Sequence, residues 1–248
     1  MDIEKIRKVV EGIPHMDFSQ AKAISKLIIE NKSQNILELG FRHGVSTCYM
    51  AGALDDLGGG KITTIDLANA KDAKPNVEEL LERLGLDKFV EVYYEPTSYI
   101  WRLMKMIEME AAPEFDFCYI DGAHDWFTDG FAFLLVDKLL KPGGLVVFDD
   151  LDWTYDTSPT LRKTDYVKNM PEEERKTPQI RKVYELLVKK DSRYGEFVEI
   201  DNWAIARKIA SDTNISQAEI RTEVIYQKER VGLGAVLLKL FKKITSGN

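Results

Sequence analysis

Residues 115–153 read FDFCYIDGAHDWFTDGFAFLLVDKLLKPGGLVVFDDLDW. Two short apolar runs, Phe117–Ile120 and Leu145–Phe148, each stop abruptly on acid: Asp121 after the first, Asp149 and Asp150 after the second. Between them lies a helix-length segment, ended by the breaker Lys141-Pro142-Gly143-Gly144. This is a strand–helix–strand unit whose two strands deliver carboxylates to the same end. In an open α/β sheet, the carboxyl ends of parallel strands are where ligands bind.

Working outward, the same alternation recurs. Upstream, Asn35–Leu39 reads as a first strand and runs into Gly40-Phe41-Arg42-His43-Gly44, with a helix beginning at Val45. Lys61–Ile65 is a second strand that again stops on an acid, Asp66; Val77–Leu84 is an amphipathic helix closed by Gly85. A third strand at Phe89–Tyr94 ends at Glu95-Pro96-Thr97-Ser98, before a helix through Ile100, Leu103, Met104 and Ile107. Downstream, Gln179–Lys189 reads as a helix, and Phe197–Ile200 and Trp203–Arg207 as a strand pair joined by the two-residue turn Asp201-Asn202. The expected fold is α/β: a doubly wound, seven-stranded, mostly parallel sheet with helices on both faces.

The flanks divide the chain further. Residues 1–30 read as an N-terminal helical cap of two helices around Gly12-Ile13-Pro14, the second with Ser19 as its N-cap. Its approach, Pro14-His15-Met16-Asp17, is placed to fold over a ligand. Residues 31–210 form the core. Within it, 151–177 is polar, punctuated by Pro159 and Pro171 and weakly periodic, the character of a lid. Residues 211–248 form an extension ending in a basic amphipathic helix, with Val236, Leu237, Leu240, Phe241 and Ile244 opposite Lys239, Lys242 and Lys243. Such a helix suits docking on the body or, as a homo-oligomer contact, on a second copy; peripheral membrane contact is the other use of the pattern.

Bulk properties exclude several classes. A formal charge of -7 argues against nucleic-acid partners, which need a basic footprint. No window offers the ~18 uninterrupted apolar residues that span a bilayer, so no stable membrane insertion is expected. Met1–Val10 does not resemble a signal peptide, and Cys48 and Cys118, both in apolar segments, read as reduced thiols of a cytoplasmic protein.

The first turn indicates the ligand. Gly40 lets the chain turn and a ligand approach the backbone, and Gly44 lets the next helix begin close by. A dinucleotide site would want G-x-G-x-x-G with a pyrophosphate on the helix N-terminus. Here the pattern is E-L-G-x-x-x-G, and the acid Glu38 repels a pyrophosphate and favours a cationic ligand. Asp66 is positioned for a ribose diol. The turn, Asp66, the Pro96-Thr97-Ser98 corner and the Lys141–Gly144 breaker together resemble the class I S-adenosylmethionine-dependent methyltransferases over roughly residues 15–208. That resemblance implies an antiparallel last strand. It also implies S-adenosylmethionine held by Glu38, Gly40, Phe41, Gly44, Ser46, Asp66, Thr97, Ser98 and Asp121, with Thr97 or Ser98 bordering the adenine.

The acidic edge indicates the chemistry. Two carboxylates about 4 Å apart repel by about 4 kcal/mol at an effective dielectric near 20. Either one is protonated or a cation sits among them, and all-oxygen ligands select a hard divalent ion, Mg²⁺ first. A hydroxyl polarised by such an ion, with a histidine three residues from a ligand to take its proton, can accept a methyl group. Ile120-Asp121-Gly122-Ala123-His124 and Phe148-Asp149-Asp150 resemble the metal-dependent O-methyltransferases, both catechol-type and the sugar-methylating enzymes of macrolide and related natural-product pathways. The resemblance implies Asp121, Asp149 and Asp150 as ligands, His124 as general base, and a small-molecule hydroxylated substrate, a sugar or polyhydroxylated natural product. Asp152, Trp153 and Tyr155 are candidates to hold it, and Trp126 to wall the pocket. A metal-independent methyltransferase and a non-catalytic S-adenosylmethionine-binding module are the rival readings.

Overall fold

A computed structural model describes residues 2–14 and 16–209. The C-terminal extension, its basic helix and His15 lie outside the described residues. Helices α1 (Ile3–Val10) and α2 (Phe18–Asn31) precede β1 (Asn35–Leu39), α3 (Val45–Asp56), β2 (Lys61–Leu67), α4 (Val77–Leu84), β3 (Val90–Glu95) and α5 (Tyr99–Ile107). Then come β4 (Phe115–Ile120), α6 (Trp126–Leu139), β5 (Leu140–Phe148), the short α7 (Asp165–Lys168) and α8 (Glu172–Lys176), α9 (Gln179–Val183), β6 (Tyr194–Ile200) and β7 (Trp203–Lys208).

The seven strands form one sheet in the order β3-β2-β1-β4-β5-β7-β6. All pairs are parallel from β3 to β5, and β7 runs antiparallel to both β5 and β6. Strand order reverses between β1 and β4, the switch point where such sheets open a ligand crevice. Because side chains alternate along a strand, Ile36, Phe117, Tyr119, Leu145 and Val147 enter a core under α1–α4. Their neighbours Leu37, Cys118, Ile120, Val146 and Phe148 enter a second core under α5, α6 and α9. Burial on both faces is why these strands are almost purely apolar.

Local details follow their chemistry, with two departures. The N-cap of α2 is Asp17, not Ser19. Asp17 accepts the N–H groups of Ser19 (2.7 Å) and Gln20 (2.8 Å), and Gln20 returns a side-chain acceptor to the N–H of Asp17, which closes a capping box. The Pro142-Gly143-Gly144 run ends α6 as expected, yet β5 is counted from Leu140, which pairs with Phe115 ahead of a register shift. The β6–β7 turn holds Asp201 (φ 47°) and Asn202 (φ 67°) in the left-handed region, the geometry of a two-residue hairpin loop. Residues 151–177 pack inward at Leu151, Tyr155, Ser158 and Val167. Among the described residues no helix is long and apolar enough to cross a membrane.

Candidate active site

The sheet ends are brought level by main-chain bonds that continue past the strands. Gly40 N–H donates to Ile65 O (2.9 Å), Asp121 N–H to Leu39 O (2.9 Å) and Asp149 N–H to Ile120 O (3.0 Å). The residues following β2, β1, β4 and β5 therefore form one rim, above which opens a cavity of about 670 Å³. Close approach of the rim segments is what demands glycine at position 40. With φ at +86°, a Cβ there would stand 2.0 Å from the carbonyl oxygen of Asp121.

On one side of the rim, Asp66 Oδ2 accepts the N–H groups of Phe41 (2.9 Å) and Arg42 (2.7 Å), pinning the glycine turn. Asp66, Gly40, Phe41, Ser46, Thr97 and Ser98 all line the cavity. Glu38 and Gly44 do not. Glu38 is fully enclosed behind the turn, where it accepts hydroxyl protons from Ser46, Thr47 and Thr64, the last two at 2.6 Å. Burial pushes its carboxyl up to about 7, against the lowering effect of those three bonds. Gly44 caps α3 with φ +87°, and its place is set by packing, since a Cβ would strike Val77 at 2.4 Å.

On the opposite side, Asp121, His124 and Asp150 present one ligand atom each, all within 4.8 Å of one another. His124 Nε2 lies 2.7 Å from Asp150 Oδ2 and 3.4 Å from Asp121 Oδ1. Its Nδ1 lies 2.8 Å from the carbonyl oxygen of Gly122, which can only accept, so Nδ1 carries the proton. In the neutral imidazole Nε2 then offers a lone pair toward the carboxyl groups of Asp121 and Asp150. Burial, and after it the charges of Asp149 and Asp150, holds the Asp121 carboxyl well above the usual range. Burial also lowers His124, against the raising effect of nearby acids. His124 (φ 60°) and Asp150 (φ 54°) both occupy the left-handed region that non-glycine residues seldom adopt.

A family model for a methyltransferase domain matches residues 37–151, the span from β1 through the acidic end of β5. Over that span the chain resembles a methyltransferase domain. A catechol O-methyltransferase from Niastella koreensis is 31% identical over 144 residues, which take in 56% of this chain. The chain spans 60% of that relative's length. Among solved structures, an O-methyltransferase from Bacillus cereus in complex with S-adenosylhomocysteine aligns with a TM-score of 0.61 at 23% identity, over 83% of this chain and 90% of that one. An O-methyltransferase of tomaymycin synthesis from Streptomyces achromogenes, in complex with S-adenosylmethionine, gives 0.61 at 18% identity, over 84% and 89%. At these identities the two structures speak for the fold.

At this rim, Asp149 departs from the expected three-aspartate set. It touches the cavity, yet its Oδ2 accepts the hydroxyl of Tyr119 and its Oδ1 the N–H of Asp150 at 2.6 Å. The group that converges has His124 in its place. Asp152 is turned into an ion pair with Arg181 (2.6 Å), and Trp153, Tyr155 and Trp126 are not among the cavity-lining residues. Trp153 instead packs its ring 5.2 Å from that of His124, and Tyr155 continues the stack at 5.0 Å. Tyr99, Tyr119 and Asp129 carry the buried polar network around the site and escaped the sequence reading. A buried acid such as Asp129 is rare without partners. The one signal was its position inside the apolar segment Trp126–Phe133.

Proposed function

We propose that this domain transfers a methyl group from S-adenosylmethionine to a hydroxyl of a small molecule, assisted by a divalent ion at Asp121, His124 and Asp150. The observation that carries this reading is the convergence of two carboxyl groups and the Nε2 of His124, one ligand atom each within 4.8 Å of one another. Such a set is satisfied by a cation, and the donor chemistry fits one: two carboxylates and an imidazole whose other nitrogen is tied to a main-chain carbonyl, the usual arrangement of a ligating histidine. Oxygen-rich sets of this kind take Mg²⁺, and the imidazole widens the choice to Mn²⁺. When bound there, the ion supplies Lewis acidity that makes the acceptor oxygen a better nucleophile.

The chain's residues do the rest by placement. The Gly40 turn admits the donor close to the backbone, Asp66 is placed for its ribose hydroxyls, and Thr97 and Ser98 border its base. Enclosed Glu38 acts through Ser46 and Thr47, fixing the start of α3 beneath the donor. The acceptor hydroxyl releases its proton to solvent, and the methyl then leaves sulfur as a carbon–oxygen bond forms, so opposite charges are lost together and alignment supplies much of the rate. The acceptor we favour presents adjacent hydroxyls, as sugars and polyhydroxylated natural products do, because two neighbouring oxygens can share one ion.

A second reading keeps His124 off the ion and uses its Nε2 to take the hydroxyl proton. The lowered, hence neutral, imidazole favours it. Labelled methyl transfer from S-adenosylmethionine across a panel of hydroxylated acceptors, with and without exhaustive chelation, tests the proposal. Transfer that survives chelation would move the assignment to a metal-independent enzyme, and donor binding without transfer to any acceptor would leave a binding module. His124→Ala separates the two roles: a ligand's loss weakens Mn²⁺ binding, whereas a base's loss spares it.

A further inference from the structure

Behind His124 lies a set of contacts that the proposed chemistry does not use. Asp129, on the first turn of α6, is 1% exposed. Its Oδ2 accepts the main-chain N–H of His124 at 2.7 Å, and its Oδ1 accepts the phenol of Tyr99. That phenol oxygen in turn accepts the N–H of Ala123 at 3.2 Å. Gly122 fits the same corner only because it lacks a side chain, since a Cβ would lie 2.4 Å from the Tyr99 oxygen. Every amide from Ala123 to His124 is thus held from one side by a buried acid and a buried phenol.

The backbone needs such a hold. His124 sits at φ +60°, a conformation that is costly for a side-chain-bearing residue and persists only where surroundings enforce it. That conformation also returns the imidazole over its own loop, with Nδ1 2.8 Å from Gly122 O and Nε2 aimed at Asp150. A helix needs no buried carboxylate at this place for capping. Asp125 already caps α6 by accepting the N–H of Thr128 at 2.6 Å.

We propose that Asp129, oriented by Tyr99, is a positioning residue that holds the His124 segment so that Nε2 completes the ion site. The inference rests on the reading of Asp121, His124 and Asp150 as ligands. Tyr99 also lines the cavity immediately after Thr97 and Ser98, so one side chain borders the donor side and braces the ion side.

The test is Mn²⁺ titration, read by electron paramagnetic resonance, of the full chain as wild type, Asp129→Ala, Asp129→Asn and Tyr99→Phe. S-adenosylhomocysteine affinity is measured by calorimetry on the same samples. Loss of an outer-shell partner of a ligand costs about 10–100-fold in metal affinity, and that is the loss expected for Asp129→Ala, with nucleoside affinity unchanged. Asp129→Asn keeps an oxygen for the His124 amide and should recover most of the affinity; Tyr99→Phe should show a smaller loss than Asp129→Ala. Wild-type Mn²⁺ affinity in Asp129→Ala, or an equal fall in Mn²⁺ and nucleoside affinity, overturns the positioning role while the ion site stands. If Asp129→Ala does not fold, wild-type Mn²⁺ affinity in Tyr99→Phe overturns it. A wild type that binds the nucleoside but no Mn²⁺ overturns the ion-site reading, and this inference with it.

Discussion

His124 Nε2 and Asp150 Oδ2 stand 2.7 Å apart although 26 positions separate them in the chain. Each comes from a residue in the left-handed region, on loops that leave adjacent strands β4 and β5. Nothing in either loop alone requires the pairing. It arises because the sheet sets the two strand ends side by side and each backbone then turns its side chain toward the other.

The first prediction concerns this pair and Asp121. With the acids ionised, the site carries like charges in a half-buried setting, and a cation relieves that repulsion. Asp150→Asn or Asp121→Asn should reduce Mn²⁺ affinity by at least about 10–100-fold, the range seen even for outer-shell changes. Asp149→Asn should cost less, because Tyr119 and the Asp150 amide already engage that carboxylate. Calorimetric titration of the three variants checks the order. Asp149 proving the most sensitive would restore it to the ligand set.

Asp66 should act on the other ligand. Its Oδ2 holds two N–H groups of the glycine turn, and hydrogen bonds to a charged group contribute about 1.5–3 kcal/mol each. Asp66→Ala should therefore weaken S-adenosylhomocysteine by at least about tenfold, the equivalent of about 1.4 kcal/mol, and leave Mn²⁺ affinity unchanged. The two affinities are measured on one sample. Mn²⁺ loss with intact nucleoside binding would place Asp66 in the wrong half of the site.

Much of this architecture was legible in the sequence because parallel strands buried on both faces are written as apolar runs, and each of the runs at β2, β4 and β5 ends on the acid that reaches the rim. Helix α4 was closed by its own chemistry at Gly85, which follows Leu84 in the left-handed conformation. The Asp201-Asn202 turn likewise carried its conformation locally. What stayed hidden is held by bonds between distant positions. Tyr119 engages Asp149 and Tyr99 engages Asp129, each across 30 residues, and no local spacing encodes either pair. Asp149 and Asp150 are neighbours with the same side chain, so only the partners brought by the fold separate their roles. The Asp152–Arg181 pair is hidden in the same way, since it turns an acid away from the cavity that adjacency would place there.

Gly40 offers a test of how tightly the rim is assembled. Gly40→Ala must place a methyl group 2.0 Å from the Asp121 carbonyl oxygen at φ +86°. Strain in that backbone region alone costs of order 1–3 kcal/mol, and the clash pushes β1 from β4 at the point where Asp121 leaves the sheet. We expect a lower thermal midpoint together with loss of both nucleoside and Mn²⁺ binding, read by calorimetry. Gly58→Ala is the control, because its Cβ would meet nothing within 4 Å although it too has a positive φ, of +79°. Similar effects of the two changes would mean that backbone strain, not the rim contact, is decisive.

The last prediction is the pH dependence contributed by Glu38. Burial raises its carboxyl from an ordinary 4.5 to about 7 in the folded chain. Below 4.5 the group is protonated whether folded or unfolded and costs nothing. Between 4.5 and about 7 the folded state binds the proton that the unfolded state has released, so stability falls as pH rises. Above about 7 the loss is complete, at about 3 kcal/mol on the scale of 1.36 kcal/mol per pKa unit. Glu38→Gln keeps the size and a neutral group able to bond Ser46, Thr47 and Thr64, and so removes this slope. Neighbouring buried acids slope the same way, so the decisive quantity is the difference between wild type and variant. Urea unfolding at a series of pH values from 4.5 to 8 should show the variant gaining on wild type as pH rises, then running parallel above about 7. A constant difference across the range would mean that the Glu38 carboxyl ionises in the folded chain at its ordinary value.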